Sequence, residues 1–399
     1  MRVLILTKIF PNCVEPLSSP FNRQQFGQLA RLCEVQILAT IPWFPGARAF
    51  SRWSRAGRLF EVPKEERIDG LRVEHPRFAF VPRLAPGLSG PLYAASLATT
   101  VLRYRGKVDV VLGSWAYPDG FAAVVLAEML GIPAVIKLHG SDMNVVAQLP
   151  APRRALEWAF PRAERVVAVS QPLRSAAIEL GAPANRVDVV PNGIDRARFR
   201  PEDRGAARRA LGLALDGALV LYIGHIERQK GSLDLVRAFA ILAKRRDKAS
   251  LVMVGDGAGM EDCRQLAAEL RVDVSFVGAK PHDEVARWLA ACDVFALPSW
   301  SEGTPNVVLE ALACGRRVVA TRVGGTPDVI TSDTLGVLVP PADPPALAAA
   351  IGDALALSRA YDAAAVSAAL DAPDWSESAE RLHESLQAAC VSGARMRAA

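Results

Sequence analysis

Residues 294–315 read VFALPSWSEGTPNVVLEALACG, and this stretch decides the fold. Its first four residues are apolar, which is typical of a strand that is buried on both faces. Proline is favoured in the first turn of a helix, so a helix is expected to start at about Pro305. Gly315 is placed to end that helix. A buried strand, a loop and a helix in this order indicate a parallel α/β sheet.

The same alternation of short apolar runs and longer helical patterns occurs in both halves of the chain. The runs predict strands at residues 2–6, 35–39, 109–112, 134–138, 165–169, 187–190, 218–223, 250–254, 274–277, 294–297 and 317–320. Most of these runs contain few polar residues, as in sheets covered by helices on both faces. We therefore expect two doubly wound α/β domains.

The boundary between the two domains is expected near residues 191–203, where the turn-forming PNGID precedes a charged stretch. The predicted domains are residues 1–198 and 199–372, followed by a C-terminal helix and tail at 373–399. Residues 42–91 are rich in Pro, Gly and Arg and are interpreted as an irregular excursion of the first domain. The last helix is expected at about 376–390, with a frayed tail from Ser392.

Charge and composition exclude several classes of protein. The net charge of +5 comes without a dense Lys/Arg run, which argues against nucleic acid and suits an anionic small molecule or phospholipid surface. The six cysteines are widely spaced and form no Cys-x-x-Cys pair, which favours reduced thiols in a cytoplasmic protein. The longest apolar stretch, 121–138, is interrupted by charged residues, Gly and Pro, and is not a membrane span.

Two glutamates in the quoted stretch are candidates for ligand binding. In open parallel sheets, ligands bind at the carboxyl ends of the strands, and Glu302 lies in such a loop. Glu310 lies just over one turn into the following helix. The backbone N–H groups of Asn306, Val307 and Val308 are expected at the positive end of that helix, which suits a diphosphate. Glu310 can then accept hydrogen bonds from a ribose, and Glu302 from sugar hydroxyls.

The segment 301–315 closely resembles the signature of the retaining glycosyltransferases of family 4, which have the two-Rossmann GT-B fold. Further matches follow in the order of the family: LHGSD at 138–142, PNGID at 191–195 with Phe199, Ile223-Gly224 before Lys230-Gly231, VGDG at 254–257 and Val277-Gly278. This resemblance extends over residues 110–382. It implies a GT-B architecture in which an acceptor domain and a donor domain face a cleft, and a C-terminal helix that crosses back.

The resemblance also implies roles for individual residues. The residue that matches Lys230 neutralises the leaving diphosphate, Glu310 holds the ribose, and Glu302 and His139 approach the sugar. The remaining donor-side candidates are Gly224, His225, Arg228 and Gly278. A lysine and a helix N-terminus stabilise a departing diphosphate without a metal ion, and the chain has no Asp-x-Asp pair. No metal and no cofactor are therefore expected. Taken alone, Lys230 is equally compatible with a surface lysine, and His139 with a structural strand-end histidine.

Two positions depart from the family pattern. His225 stands where the family often has arginine, and histidine is mostly neutral at pH 7, so phosphate neutralisation rests on Lys230 or Arg228. The region after the first strand reads SSPFNRQQ at 18–25 and lacks the Gly-Gly pair of many members. Arg23 or the backbone of residues 20–22 is the substitute we expect. Asn22, Arg23 and Asp142 are the candidates for contacts with the acceptor.

The implied reaction moves a sugar from a nucleoside-diphosphate sugar to a hydroxyl group of a saccharide or lipid-linked saccharide, with retention, in cell-surface polysaccharide or glycolipid synthesis. The protein is expected in the cytoplasm or on the inner face of the membrane. The basic aromatic stretch RAFSRWSRAGR at 48–58 is either an interfacial segment on anionic lipid or an ordinary surface loop. A GT-B phosphorylase or epimerase and a non-catalytic sugar-nucleotide-binding subunit remain as alternatives.

Overall fold

The computed structural model describes residues 1–46, 54–79, 89–244, 249–358 and 361–398. The chain forms two compact units. The first unit comprises Met1–Gly193 together with Trp375–Ala399, and the second comprises Ile194–Asp374. The boundaries expected from the sequence, residues 198 and 372, lie within a few residues of these.

Ten strands belong to the described part of the first unit. They are β1 (Arg2–Thr7), β2 (Glu34–Ala39), β3 (Ile41–Trp43), β4 (Glu65–Ile68), β5 (Leu71–Glu74), β6 (Arg77–Ala79), β7 (Val110–Ser114), β8 (Ala134–Leu138), β9 (Arg165–Ala168) and β10 (Val187–Val189). Eight of them form one sheet in the order β10-β9-β8-β7-β1-β2-β5-β4, in which β4 and β5 are antiparallel and all other neighbours are parallel. The strands β3 and β6 pair with each other in parallel.

The second unit contains one fully parallel sheet. Its strands are β11 (Ala218–Ile223), β12 (Ala249–Val254), β13 (Val274–Gly278), β14 (Val294–Leu297), β15 (Val318–Thr321) and β16 (Gly336–Val339). Their order is β13-β12-β11-β14-β15-β16. The order reverses between β11 and β14, and such a switch point is where doubly wound sheets bind their ligands.

Helices cover the sheets in both units. They are α1 (Pro20–Leu32), α2 (Arg55–Arg58), α3 (Ser89–Leu102), α4 (Phe121–Leu130), α5 (Ser141–Asn144), α6 (Pro150–Ala159), α7 (Gln171–Glu179), α8 (Arg204–Ala210), α9 (Ser232–Ala243), α10 (Met260–Leu270), α11 (His282–Ala291), α12 (Asn306–Ala313), α13 (Thr326–Val329), α14 (Pro344–Leu357), α15 (Ala363–Ala369) and α16 (Trp375–Ala398). Within the residues described, none of these helices is long and apolar enough to cross a bilayer.

All eleven strands predicted from the sequence are present, with ends within two residues of the predicted ones. The prediction rests on apolar runs, and in the sheets these runs are buried on both faces. In β1, Leu4 and Leu6 belong to one core cluster, whereas Val3 and Ile5 belong to the cluster on the opposite face. Alternating side chains on a strand point to opposite faces, so a central strand covered on both faces is apolar at most positions.

The last helix, α16, packs in the core of the first unit. Ala379, Leu382, Leu386 and Ala389 recur at helical spacing and lie in the same core cluster as Phe26 of α1. The return of the C-terminal helix to the first domain is confirmed. The expected end of that helix near residue 390 and the frayed tail from Ser392 are wrong, because the helix continues to Ala398.

Residues 42–91 were expected to be the least regular part of the first domain. Their described part contains more regular structure than expected: β4, β5 and β6, most of β3 and the short helix α2. The strands β4 and β5 form a hairpin whose turn, Asp69-Gly70, has φ angles of 50° and 84°. An Asp-Gly pair between two strands is a strong hairpin signal because both residues tolerate positive φ.

The basic stretch 48–58 lies partly outside the described residues, which include only its residues 54–58. Of its arginines, Arg55 forms a bidentate ion pair with Glu15, with both N–O distances at 2.6 Å. That guanidinium is therefore occupied by a carboxylate of the same unit.

Candidate active site

The carboxyl ends of β11, β12 and β13 are joined by direct backbone contacts. Gly224 N–H donates to Val254 O (3.0 Å), and Gly255 N–H donates to Gly278 O (2.9 Å). Gly255 has φ 144°, and a Cβ there would lie 1.9 Å from Gly224 O. Only glycine fits this close approach, so the three loops form a tight floor at the edge of the sheet.

Lys230 and Glu302 meet at the switch point of the second sheet. Lys230 ends a single 3-10 turn after β11, and its Nζ lies 2.8 Å from Glu302 Oε1 in the loop after β14. The next residue, Gly231, has φ 66°, and a Cβ there would lie 2.0 Å from Pro298 O. The absence of a side chain at Gly231 lets the two loops touch, and this contact brings the ammonium and the carboxylate together.

Trp300 holds the same two loops in register. Its backbone N–H donates to Gln229 O (2.9 Å), and its indole Nε1–H donates to Asp234 Oδ2 (2.8 Å) at the start of α9. The Arg228 guanidinium lies over the indole ring, 5.3 Å from its centroid. Arg228 is thus held close to Lys230 by a cation–π contact. Trp300 was not among the site residues predicted from the sequence.

The helix predicted after Glu302 is present as α12, and Pro305 is its N-cap rather than a residue of its first turn. Because proline has no side-chain acceptor, the cap leaves the first amides of the helix to other partners. Val308 N–H donates to Pro305 O (2.9 Å), so of the three expected amides this one is engaged within the helix. The amides of Asn306 and Val307 lie at the helix N-terminus.

Glu310 is nearly buried, with 12% of its side chain exposed. Burial raises the pKa of its carboxyl to about 7, although the charge of Arg198 opposes the shift. His282, at the start of α11, lies 3.8 Å from Glu310 Oε1 by its Nε2 and packs edge-on against the Phe199 ring. His282 was missed in the sequence analysis. Its position just after β13, at the same sheet edge, is the signal that could have identified it.

The loop after β15 also reaches this edge. Gly325 N–H donates to Gly303 O (2.7 Å), and a Cβ at Gly324 would lie 1.9 Å from Glu302 O. Gly324 has φ 49°, which glycine adopts without strain. The backbone of Glu302 is therefore fixed on one side by the loop after β15, while its side chain is fixed on the other by Lys230.

The remaining donor-side candidates lie at the ends of β11 and β13. Tyr222 OH donates to the backbone O of His225 (2.6 Å), which fixes the turn after β11. Gly278 ends β13 with φ 74°, and a Cβ at this position would meet no atom within 4 Å. The structure thus gathers Gly224, His225, Arg228, Lys230, Gly278, Glu302, Glu310 and the N-terminus of α12 at one sheet edge of the second unit.

In the first unit, His139 follows β8 and is surrounded by aromatic rings. Its ring lies 5.0 Å from that of Phe21 and 5.9 Å from that of Trp115, and Nε2 is 2.9 Å from Ser114 Oγ. Burial, with the nearby charge of Lys137, lowers the pKa of His139 well below its ordinary value. The imidazole is consequently neutral at pH 7 and suited to hydrogen bonding rather than charge stabilisation.

The three acceptor-side candidates all have partners within the first unit. Asp142 is buried and accepts hydrogen bonds from the amides of Ala116, His139, Gly140 and Met143. Asn22 is also buried, donates to Ile9 O (2.8 Å) and accepts from Ser114 Oγ. Arg23 pairs with Asp69 across an exposed surface. The polar atoms of Asp142 and Asn22 are thus engaged in hydrogen bonds that hold the loops near His139.

Comparison with protein families gives two matches that together extend over most of the chain. The model named Glycosyltransferase Family 4 matches residues 26–198, and the model named Glycosyl transferases group 1 matches residues 217–356. A putative teichuronic acid biosynthesis glycosyltransferase of Bacillus subtilis is 31% identical over 357 residues, which are 88% of this chain and 88% of the relative. A D-inositol 3-phosphate glycosyltransferase of Acidothermus cellulolyticus is 35% identical over 279 residues, which are 65% of this chain and 62% of the relative.

Among solved structures, the Anabaena protein Alr3699/HepE in complex with UDP-glucose has a similar fold. The TM-score is 0.71, with 22% identity, and the alignment covers 97% of this chain and 99% of that chain.

Proposed function

Because the chain is a glycosyltransferase of family 4 with the GT-B fold, we propose that it transfers a sugar from a nucleoside-diphosphate sugar to an acceptor hydroxyl with retention of configuration. One observation carries this proposal: Lys230 and Glu302 are paired at 2.8 Å on the sheet edge where α12 begins. A cation beside a helix N-terminus suits a diphosphate, and a carboxylate beside both suits sugar hydroxyls.

Lys230 and the N-terminus of α12 are the groups that stabilise the leaving diphosphate. Negative charge grows on the diphosphate as the bond to the sugar breaks, so fixed positive groups bind the transition state more tightly than the donor. Lys230 is held by Glu302 and is only 28% exposed, so it is oriented before the donor binds. Arg228, above Trp300, supplies the second cation that the family often has at the position of His225.

Glu310 is the group that binds the ribose. The two ribose hydroxyls donate hydrogen bonds, and an ionised carboxylate accepts both. Burial raises the pKa of Glu310 to about 7, and hydrogen bonds from a diol favour the charged form. Donor binding and ionisation of Glu310 are therefore coupled.

His139 stays a proposal for a residue that contacts the transferred sugar, on the strength of the family resemblance. Its pKa is lowered by burial, so it acts as a neutral hydrogen-bonding group. The UDP-glucose complex of the Anabaena structure supports a uridine diphosphate sugar as the donor. The name of the Bacillus subtilis relative, a putative teichuronic acid biosynthesis glycosyltransferase, supports a role in polysaccharide synthesis.

A thermal-shift screen with UDP-, GDP- and ADP-sugars tests the proposal. A ligand that binds only the folded state raises its apparent stability by mass action, so the donor should raise the melting temperature most. We expect the UDP-sugars to act at lower concentration than the others. If none of the nucleotide sugars stabilises the protein, the proposed donor site is wrong.

One alternative has a specific observation in its favour. His225 replaces the arginine that often binds phosphate in the family, as expected for a sugar-nucleotide-binding subunit without transfer activity. Release of UDP in the presence of a saccharide acceptor distinguishes the two. Turnover that depends on the acceptor supports the transferase, whereas tight binding without turnover supports the binding subunit. Consumption of inorganic phosphate instead of an acceptor would indicate a phosphorylase.

A further inference from the structure

The first unit contains a cavity of about 510 Å³ at the same sheet edge as His139. Its volume lies within the range of sites that bind small organic ligands. Most of its lining side chains are apolar, including Phe10, Ile41, Leu59, Phe78, Leu92 and Leu149. The described lining residues come mainly from the segments after β1, β2 and β7, from α2 and its surroundings, from β6 and from the loop before α6. The proposed donor site does not use it.

One apolar side chain of the lining is exposed. Leu149 lines the cavity and is 50% exposed. Leu17, Trp43 and Val145 are also exposed, and each is the sequence neighbour of a lining residue. An apolar concave surface with an exposed apolar side chain in its lining suits a ligand with a hydrocarbon part.

Lys8 introduces a positive charge into the lining. It follows β1 and lies over the Trp115 ring, with Nζ 5.3 Å from the ring centroid. Among the described residues, none offers Nζ a hydrogen-bond acceptor. The other basic lining side chains have carboxylate partners: Arg55 contacts Glu15, and His75 Nε2 lies 2.7 Å from Glu66 Oε1. Burial lowers the pKa of Lys8, because the charges of Asp119 and Asp142 do not compensate for its loss of water.

Lys8 also connects the cavity to His139. Lys8, Trp115 and His139 follow the neighbouring strands β1, β7 and β8. The Trp115 ring is near both of the others, since Lys8 Nζ lies 5.3 Å and the His139 ring 5.9 Å from its centroid. Trp115 has φ 136°, a strained conformation of the kind that is concentrated at functional sites. Lys8, which lines the cavity, is therefore linked to His139 through Trp115 along the same sheet edge.

We propose that the acceptor is amphiphilic: a hydrocarbon chain fills this cavity, a phosphate joined to the chain pairs with Lys8, and the saccharide hydroxyl to be glycosylated lies beside His139. This inference rests on the proposed function, since it names the class of acceptor for that transfer. A lipid phosphate matches both features of the cavity, its apolar walls and its single unpaired cation among the described lining residues.

Binding of three probes to the full-length protein tests the proposal by calorimetry, below the concentrations at which micelles form. Octyl phosphate carries the chain and the anion, inorganic phosphate only the anion, and octyl glucoside only the chain. We expect octyl phosphate to bind at least about tenfold more tightly than either of the others, since both contacts contribute. Equal binding of octyl phosphate and inorganic phosphate would overturn the proposal and indicate a site for free phosphate.

Two variants localise the binding. Lys8→Met should reduce the affinity for octyl phosphate to that for octyl glucoside, and Leu149→Asp should weaken both alkyl ligands about tenfold or more. The matched controls are Lys107→Met, at an exposed lysine, and Leu357→Asp, at a leucine that is also 50% exposed but lies in the second unit. Affinities that Lys8→Met and Leu149→Asp leave unchanged would show non-specific partitioning and contradict the proposal.

Titration of UDP-glucose into the same preparations separates this inference from the proposed function. Because Lys8 and Leu149 belong to the first unit, neither substitution should change donor affinity. Donor binding without octyl phosphate binding overturns the amphiphilic acceptor and leaves glycosyl transfer intact. Octyl phosphate binding without binding of any nucleotide sugar overturns the proposed function instead.

Discussion

Lys230 Nζ and Glu302 Oε1 lie 2.8 Å apart, although 72 residues separate them in the chain. The pair forms because β11 and β14 are neighbours at the point where the strand order of the second sheet reverses. Each residue is in the loop that follows one of these strands. The pair thus fixes an ammonium and a carboxylate where a doubly wound sheet binds its ligand.

Replacing Lys230 should greatly lower the rate of sugar transfer and have little effect on the stability of the folded protein. We expect Lys230→Met to lower kcat by about two to three orders of magnitude, as removal of one preorganised transition-state contact typically does. Steady-state release of UDP measures the effect. Lys107→Met is the matched control and should retain full activity. A folded Lys230→Met protein with unchanged kcat would remove Lys230 from the proposed mechanism.

Gly231 and Gly212 allow a matched test of the loop contact. Both have positive φ, 66° and 67°, but a Cβ at Gly231 would meet Pro298 O, whereas one at Gly212 meets nothing within 4 Å. Gly212→Ala should cost only about 1 kcal/mol of folding free energy, from backbone strain. Gly231→Ala should lower the melting temperature more and also weaken UDP binding, since the Lys230 and Glu302 loops must move apart. Equal effects of the two variants in both measurements would argue against a tight contact.

Glu310 should make the stability of the free protein fall as the pH rises. Its pKa is about 7 in the folded protein and about 4.5 when exposed, so ionisation opposes folding progressively between these values. The cost reaches at most about 3 kcal/mol above pH 7 and is absent below about pH 4.5. Glu310→Gln should therefore stabilise the protein at pH 8 and have little effect at pH 5. Chemical unfolding at the two pH values measures this difference.

Ionisation of Glu310 should affect donor binding in the opposite direction from stability, because it strengthens the binding of UDP. Protonation of Glu310 removes an acceptor for the ribose, so UDP affinity should fall as the pH decreases from 8 to 5. Glu310→Gln should bind UDP weakly and lose this part of the pH dependence. Glu269→Gln, at an exposed glutamate of the same unit, is the control and should behave like the unmodified protein. A Glu310→Gln protein with the same pH profile would contradict a role in ribose binding.

His139 should remain neutral across the physiological pH range. Its pKa is lowered well below the ordinary value because the imidazole is buried beside Lys137. In NMR spectra, the ring resonances assigned by comparison with His139→Gln should therefore not shift between pH 6 and 8. A titration midpoint near 6.5 would show a solvated imidazole and would exclude the neutral hydrogen-bonding role.

The sheets could be predicted from the sequence because buried parallel strands are apolar at most positions. The runs of β1 and β14 carry this signal directly, and β8 carries it apart from the buried Lys137. The strand β4 was missed because its residues, EERI, are exposed or only partly buried and form no apolar run. The strand β16, GVLV, is apolar but only four residues long, and it was missed despite that pattern. The Asp69-Gly70 turn of the β4–β5 hairpin was present in the sequence, and attention to paired turn residues would have identified it.

Individual site residues were predictable, but their pairing was not. Glu302 and Lys230 stand out through their motifs, whereas their ion pair depends on which strands are neighbours. The orientation of the Asp142 side chain could not be predicted from the sequence either, since a carboxylate in a loop can face a ligand or the backbone amides around it. The structure shows the second arrangement, with four backbone amides donating to this carboxylate.

The position of α16 determines the order in which the protein can be completed during synthesis. The core of the first unit needs Leu382 and Leu386, which leave the ribosome after the entire second unit. Until α16 is synthesised, the apolar face of the first unit that packs on α16 stays exposed, whereas the second unit can already fold. A fragment that ends at Gly193 lacks this helix, so Phe26 and its neighbours lose part of the core that packs on them. The first unit therefore cannot be expressed as one continuous segment of the gene without losing part of its core.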